Sequence, residues 1–304
     1  MIVMDSRWVA AWLILSLLNA CAVFDPHQTL EDRVHLHDRS SQREGPVAAP
    51  LARFDSPVLT LLSLNLAHGR QQSVSQLLLS REQIKANLED IAVYLRTVNA
   101  DVVALQEADG PSFWSGDFNH VQFLQEQAGY RAFRRSTHVD NWLGDYGTAI
   151  LSQVQPIESF GVTFLPSPPT PRKGFTLASF LWQPEPSTEL IELDLISVHL
   201  DFSRESIRKQ QIDEIRTVLQ SRRKPTIIMG DFNSEWLAKE YVVKRLSEFG
   251  WHSFEPDARQ HVTFQNDRLD WVLLSKEFEF VQYYADDVSL SDHRPVVTRI
   301  KVSE

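Results

Sequence analysis

The side chains best able to do chemistry fall in six short clusters spread over the chain. They are Leu64-Asn65-Leu66-Ala67-His68-Gly69, Leu105-Gln106-Glu107, Val198-His199-Leu200-Asp201, Met229-Gly230-Asp231-Phe232-Asn233-Ser234, Arg268-Leu269-Asp270-Trp271 and Ser291-Asp292-His293-Arg294. Each sets a polar residue at the edge of an apolar run, where packing alone would not choose one. Strand ends that converge on one rim would place these groups in a single cleft. Glu107, Asp231 and Asp292 offer hard carboxylate oxygens, which suit Mg²⁺ or Mn²⁺. Carboxylates gathered this closely repel one another unless a cation neutralises them. Each cluster also has a purely structural reading. Asn65 can end a strand by bonding its own backbone, and Glu107 can be an exposed strand-end charge. Asp231 can cap a helix starting near Glu235, His199 can be a satisfied core histidine, and Asp270 can pair with Arg268.

The elements that would carry these clusters alternate in type. Apolar runs at 58–65 and 101–106 read as strands, as do segments near 147–152, 157–164, 174–182, 191–199, 226–230, 270–275, 278–285 and 295–301. Residues 81–98 place Ile84, Leu88, Ile91, Ala92 and Leu95 on one helical face. Further helices are expected over 117–129, 204–221 and 235–249, and the Pro-rich stretch from Leu165 to Pro171 reads as a loop. Many strands with few helices imply an α/β body with a shared core. The composition agrees: 304 residues, 43% hydrophobic and 23% charged, describe a globular chain.

The net charge is −10, and removing residues 1–20 would delete Asp5 and Arg7, one charge of each sign, leaving −10. That balance argues against a broad basic surface for gripping nucleic acid, although a metal and a few local cations could still contact phosphate. Cys21 is the single cysteine, so no internal disulfide can form. It follows an apolar run from Trp8 to Leu18. That run is about 11 residues, against the roughly 20 that a spanning helix needs. Residues 1–20 therefore read as an export signal, and Leu18-Asn19-Ala20-Cys21 resembles the bacterial lipobox. The resemblance implies lipid on the Cys21 sulfur and a membrane anchor. Ala22 at the next position implies the outer membrane. Residues 21–56, with His27, His35, His37, Pro26, Pro46 and Pro50, read as the lipidated cysteine and a flexible tether, and 57–304 as the functional domain.

The order and wording of the clusters resemble the endonuclease/exonuclease/phosphatase superfamily over roughly residues 58–301. The most specific pieces are Gly230-Asp231-Phe232-Asn233 and Ser291-Asp292-His293, supported by Gln106-Glu107 and Arg268-Leu269-Asp270. The resemblance implies a four-layer α/β/β/α sandwich, two packed mixed sheets flanked by helices, with the site at one edge. It implies Mg²⁺ or Mn²⁺ held by Glu107, with Asn65 and Asp292 beside it. Asp231 and Asn233 would orient the attacking water and hold phosphate. His293 would be the acid/base histidine oriented by Asp270, and His199 the second histidine. Arg70, Tyr146 and Arg172 are candidates for substrate contact, and Lys173 for phosphate. The three cations can equally be solvated surface charges. Trp114, Trp142 and Trp236 can line an apolar pocket or simply pack. Thr148 and Gln153 stand where the family usually carries Asn and Arg, which bears on substrate contacts.

The expected activity is metal-dependent hydrolysis of a phosphodiester, on a phospholipid head group, nucleic acid or nucleotide, with no obligate protein partner. A nuclease acting on extracytoplasmic DNA or RNA, or a catalytically silent binding module, are the alternatives. If Cys21 carries the anchor, Cys21→Ser should move the protein from the membrane to the soluble fraction on centrifugation. Unchanged fractionation would contradict lipidation.

Overall fold

The computed structural model describes residues 28–36, 53–235, 242–256 and 260–303. Residues 1–20, expected to be an export signal, and Cys21, His27, His37 and Trp236 lie outside the described residues. Within them the strands are β1 (Val34–Leu36), β2 (Leu59–Asn65), β3 (Val102–Asp109), β4 (Ala132–Asp140), β5 (Asp145–Ser152), β6 (Glu158–Thr163), β7 (Gly174–Trp182), β8 (Ile191–His199), β9 (Thr226–Asp231), β10 (His252–Ser253), β11 (Asp270–Leu274), β12 (Phe278–Ala285) and β13 (Val296–Val302). The helices are α1 (Arg81–Val98), α2 (His120–Ala128), α3 (Glu205–Arg222) and α4 (Val242–Glu248).

The strands form two mixed sheets, one of seven strands in the order β1-β6-β7-β8-β9-β11-β10 and one of six in the order β12-β13-β2-β3-β5-β4. Each sheet contains one parallel pair, β2 with β3 and β8 with β9, and antiparallel neighbours elsewhere. A parallel pair needs a crossover, which α1 supplies in one sheet and α3 in the other. The two halves therefore repeat one βαβ plan. The sheets pack face to face through Leu61, Val102, Ala104 and Ile150 on one side and Ala178, Phe180, Leu195, Ile227 and Met229 on the other. α1 and α2 cover the outer face of the six-stranded sheet, and α3 and α4 that of the seven-stranded sheet. This is the expected four-layer sandwich.

Local sequence accounts for the helix ends. Ser80 and Gln83 form a reciprocal capping box at the start of α1, and Asn99 closes it in the left-handed conformation. Asn119 caps α2, which begins at His120 rather than 117. α4 is described from Val242; Glu235, the expected start of the helix, is not helical, and 236–241 lie outside the described residues.

Two strands depart from the hydrophobic pattern. β4 buries Arg134, Ser136 and His138 instead of apolar side chains, so its alternation is invisible to a hydrophobicity reading. Their polar atoms are met across the layers. Arg134 Nε donates to Ser159 Oγ, Thr176 Oγ1 donates to Ser136 Oγ, and His138 lies between Thr163 and Thr148 hydroxyls. β1 lies within the stretch read as a tether. It pairs with β6, and the buried Arg33 beside it meets Glu214 and the Thr163 carbonyl. An edge strand this short leaves almost no periodicity to read.

The parallel pairs position the site. Asn65 ends β2, His199 ends β8 and Asp231 ends β9, while Glu107 sits near the end of β3. The antiparallel neighbours bring partners from the other direction: Asp270 opens β11 opposite Asp231, and His293 precedes β13. Gly230 is what lets β9 run close beside β8. Its φ is +145° and an added Cβ would lie 2.0 Å from the Val198 carbonyl oxygen. Gly230→Ala should lose about 1–3 kcal/mol from backbone strain alone, with the clash adding to it. A denaturation midpoint equal to that of the native protein would refute this account.

Candidate functional site

The six clusters do meet, and the Asp231 carboxylate is the point on which one group of them converges. Asn65 Nδ2 donates to Asp231 Oδ2 (3.1 Å), His199 Nε2 lies 3.4 Å from the same oxygen and His293 Nε2 3.9 Å from it. The Asn233 backbone N–H donates to Asp231 Oδ1 (2.8 Å), and Asn233 Nδ2 donates to the Leu200 carbonyl (3.0 Å). Asn233 has φ 49°, a left-handed conformation that asparagine tolerates, so Gly230 to Asn233 form a turn that holds the carboxylate from behind. His293 Nδ1 donates to Asp270 Oδ2 at 2.8 Å. Asp270 is itself placed by its backbone N–H, which donates to the buried Thr263 hydroxyl.

Glu107 anchors a second group. The pairing of β3 with β5 slips between Gln106 and Ala108, leaving Glu107 as a bulge with φ 48°. A bulge re-aims a side chain that the pleat would otherwise point elsewhere. Glu107 Oε2 lies 3.3 Å from His68 Nε2, and Oε1 lies 4.0 Å from Lys173 Nζ. His68 Nδ1 donates to Asp109 Oδ1 at 2.8 Å. Lys173 also donates to His199 Nε2 (2.9 Å), so this one buried ammonium links the Glu107 group to the Asp231 group. Arg70 forms an ion pair with Asp292, half-buried at the edge of the site.

The charges shift accordingly. Burial disfavours the ionised form of Glu107, but the charges of His68, Lys173 and Arg70 outweigh it and hold the carboxyl well below its usual range. Burial and the adjacent Lys173 push His199 down, so it stands neutral and accepts from the ammonium. Burial lowers His293 as well, yet Asp270 and Asp231 raise it to about 10. Burial and the like charge of Asp270 push the Asp231 carboxyl up, against the pull of His293.

The fit to a divalent cation rests on these donors. Asp231, Asp270 and His293 offer ligand atoms within 4.8 Å of one another. Buried Asp270 Oδ1 finds no hydrogen-bond partner among the described residues. A like-charged carboxyl pair with an open oxygen is short of positive charge, which an Mg²⁺ or Mn²⁺ ion would supply. The expected ligands are occupied differently. Asn65 Oδ1 accepts from the Ala67 N–H, and Asp292 meets Arg70. The donors therefore offer such an ion two places: the Asp231–Asp270 pair, which is short of positive charge, and Glu107, which stays ionised with His68 and Lys173 beside it.

The three candidates for substrate contact separate. Arg70 lies at the site, but Arg172 lies near the like charge of Arg33, and among the described residues no hydrogen bond or ion pair joins it to the clusters. Successive side chains near a strand point to opposite faces, so Lys173 enters the site and Arg172 does not. Tyr146 is buried, stacks on Trp114 with ring centroids 5.3 Å apart, and meets His68 edge-on at 4.8 Å. It braces His68. His68 and Asp109 escaped the sequence reading as site residues. The only signal was the chemistry of His68-Gly69-Arg70 directly after Asn65, together with Asp109 two positions beyond Glu107.

Comparison with known proteins places this geometry. A model of the Endonuclease/Exonuclease/phosphatase family matches residues 62–293. An endonuclease/exonuclease/phosphatase from Bacteroides vulgatus is similar in structure, with a TM-score of 0.64 at 16% identity over 81% of this chain and 99% of that one. A family protein from Leptotrichia buccalis gives 0.62 at 15% identity over 81% and 100%. The human Nocturnin catalytic domain, with a bound sulfate anion, gives 0.57 at 16% identity over 82% and 96%. At such identities the likeness concerns the fold. No curated protein matches the sequence.

The raised pKa of His293 has a measurable consequence in metal-free protein. A folded-state pKa above the unfolded one adds stability that is complete below about pH 6.5 and lost as pH rises through about 10. The margin of the native protein over His293→Gln should therefore shrink across that interval in denaturant titrations. The His293 ring should stay protonated at about pH 8 by NMR; titration near 6.5 would refute the Asp270 and Asp231 account.

Proposed function

The chain belongs to the Endonuclease/Exonuclease/phosphatase family, and on that premise we propose that it is a divalent-cation-dependent phosphodiesterase, exported and tethered to a membrane through Cys21. The family includes metal-dependent phosphoesterases and nucleases, so hydrolysis of a phosphoric ester is the reaction class. The observation that carries the proposal is the buried Asp231–Asp270–His293 cluster joined through His199 and Lys173 to Glu107.

Glu107, with Asn65 and Asp292 beside it, would hold Mg²⁺ or Mn²⁺, and Asp231 and Asp270 form a second candidate set. The ion, when bound, would neutralise phosphoryl charge and acidify a water. Asp231, held by Asn65 and the Asn233 N–H, is placed to take a proton from the attacking water. His293, kept protonated and oriented by Asp270, is placed to donate to a phosphoryl or leaving-group oxygen. Lys173 brings a fixed positive charge, and neutral His199 offers a second ring nitrogen at the same place.

The substrate proposed is a phospholipid head group. A membrane tether would hold the enzyme at lipid, and a net charge of −10 disfavours long polyanions. Phe113 and Trp142, 70% and 82% exposed, form an aromatic pair on loops leading to Trp114 and Tyr146. Such rings suit an apolar or interfacial substrate.

The test is hydrolysis of bis(p-nitrophenyl) phosphate and its monoester by the purified full chain. Diester turnover should need Mg²⁺ or Mn²⁺, vanish with chelator, and fall by about 10²–10⁴-fold in His293→Ala. Glu107→Gln and Asp270→Asn, compared by metal titration, identify the ligand set. Monoester preference would make the protein a phosphatase, and chelator-insensitive turnover would refute the metal role.

A further inference from the structure

We propose that His68, held by Asp109, is a positioning residue for Glu107, and that this arm sets the affinity of the chain for its divalent cation. The proposal rests on the phosphoesterase reading above. It gives roles to two residues that the family resemblance left without one.

The arm repeats a plan seen on the other side of the site. There, Asp270 holds His293 at 2.8 Å and the ring faces Asp231 at 3.9 Å. Here, Asp109 holds His68 at 2.8 Å and the ring faces Glu107 at 3.3 Å. Both arms are a carboxylate, an imidazole and a second carboxylate in line. Both inner carboxylates, Asp109 and Asp270, are fully buried and keep one oxygen without a hydrogen-bond partner among the described residues.

His68 is held more firmly than packing would require. Trp114 lies 5.0 Å from its ring and Tyr146 4.8 Å, and these two rings stack on each other at 5.3 Å. Its backbone is in the left-handed region at φ 55°, following Ala67 at φ 45° and opposite Glu107 at φ 48°. Such conformations persist only where surrounding contacts over-determine them, and they gather at functional sites. The strained turn after Asn65 and the bulge in β3 thus bring one imidazole onto one carboxylate. The contact sets the orientation of Glu107 Oε2 and leaves Oε1 toward Lys173. Groups that orient a metal-binding carboxylate from behind change metal affinity when removed.

Two substitutions separate positioning from packing. His68→Asn keeps a short amide able to reach Asp109 but withdraws from Glu107. His68→Gln extends an amide N–H to where Nε2 stood. Asparagine tolerates a positive φ better than histidine, so backbone strain cannot explain a loss in His68→Asn. The full chain, stripped of metal, is titrated with Mg²⁺ by calorimetry, and kcat and KM for bis(p-nitrophenyl) phosphate and the thermal midpoint are measured alongside. His68→Asn should lose about 10–100-fold in Mg²⁺ affinity, with kcat falling and KM little changed. His68→Gln should recover most of both. Equal losses in the two variants, or native Mg²⁺ affinity in His68→Asn, would overturn the proposal while native turnover upheld the phosphoesterase reading. A native chain that neither binds Mg²⁺ nor hydrolyses the diester would overturn both.

Discussion

The site depends on balancing charge where water is scarce. Asp109, Asp231 and Asp270 are almost wholly buried, and Glu107 is largely so. Isolated carboxylates in such surroundings would take up protons. The protein answers with imidazoles on each side and a buried ammonium between them. Lys173 is central because it touches both groups: its Nζ meets His199, which faces Asp231, and lies 4.0 Å from Glu107. The balance is uneven. Glu107 has cations all around it and stays ionised, whereas Asp231 has a like-charged neighbour and is pushed the other way. That asymmetry gives two carboxylates in one cleft different tasks, one suited to holding positive charge and one to moving a proton.

Backbone geometry makes this arrangement possible. A regular strand would alternate its side chains across the sheet, and β3 would direct Glu107 by pleat alone. The bulge at Gln106–Ala108 breaks that rule at the residue the site requires. Gly230 lets β9 approach β8 closely, so that Asp231 and His199 stand side by side at the ends of their strands. The hydroxyl and amide bonds between the sheets, such as Gln106 Nε2 to Ser197 Oγ, continue the polar character of the site into the core beneath it. Such buried polar groups are stabilised where they meet partners, as Ser197 Oγ does in donating to the Leu105 carbonyl.

Much of the molecule was legible from residue order. The apolar period of Ile84, Leu88, Ile91 and Leu95 marks α1, and Ser80 with Gln83 marks its start. The parallel strands read as continuous apolar runs because both their faces are buried, and each ends in the polar residue that reaches the cleft. β4 was not legible, since it buries Arg134, Ser136 and His138, and a method that looks for apolar alternation passes over it. β1 was not legible because three residues carry no period. Arg172 and Lys173 are equally basic neighbours in sequence, and only the direction of each side chain separates them.

The sequence by itself determined which chemical groups are present, the order of the strands that end in them, and the single cysteine. These are local properties, written in residue type and spacing. Only the tertiary structure decided that His68 joins Glu107, that Arg70 meets Asp292, and that Tyr146 braces a histidine within the fold. These contacts depend on a one-residue bulge, a left-handed turn and the packing of two sheets. Each shifts side chains by a few ångströms without altering the hydrophobic pattern, and hydrogen bonds and ion pairs are decided at that distance.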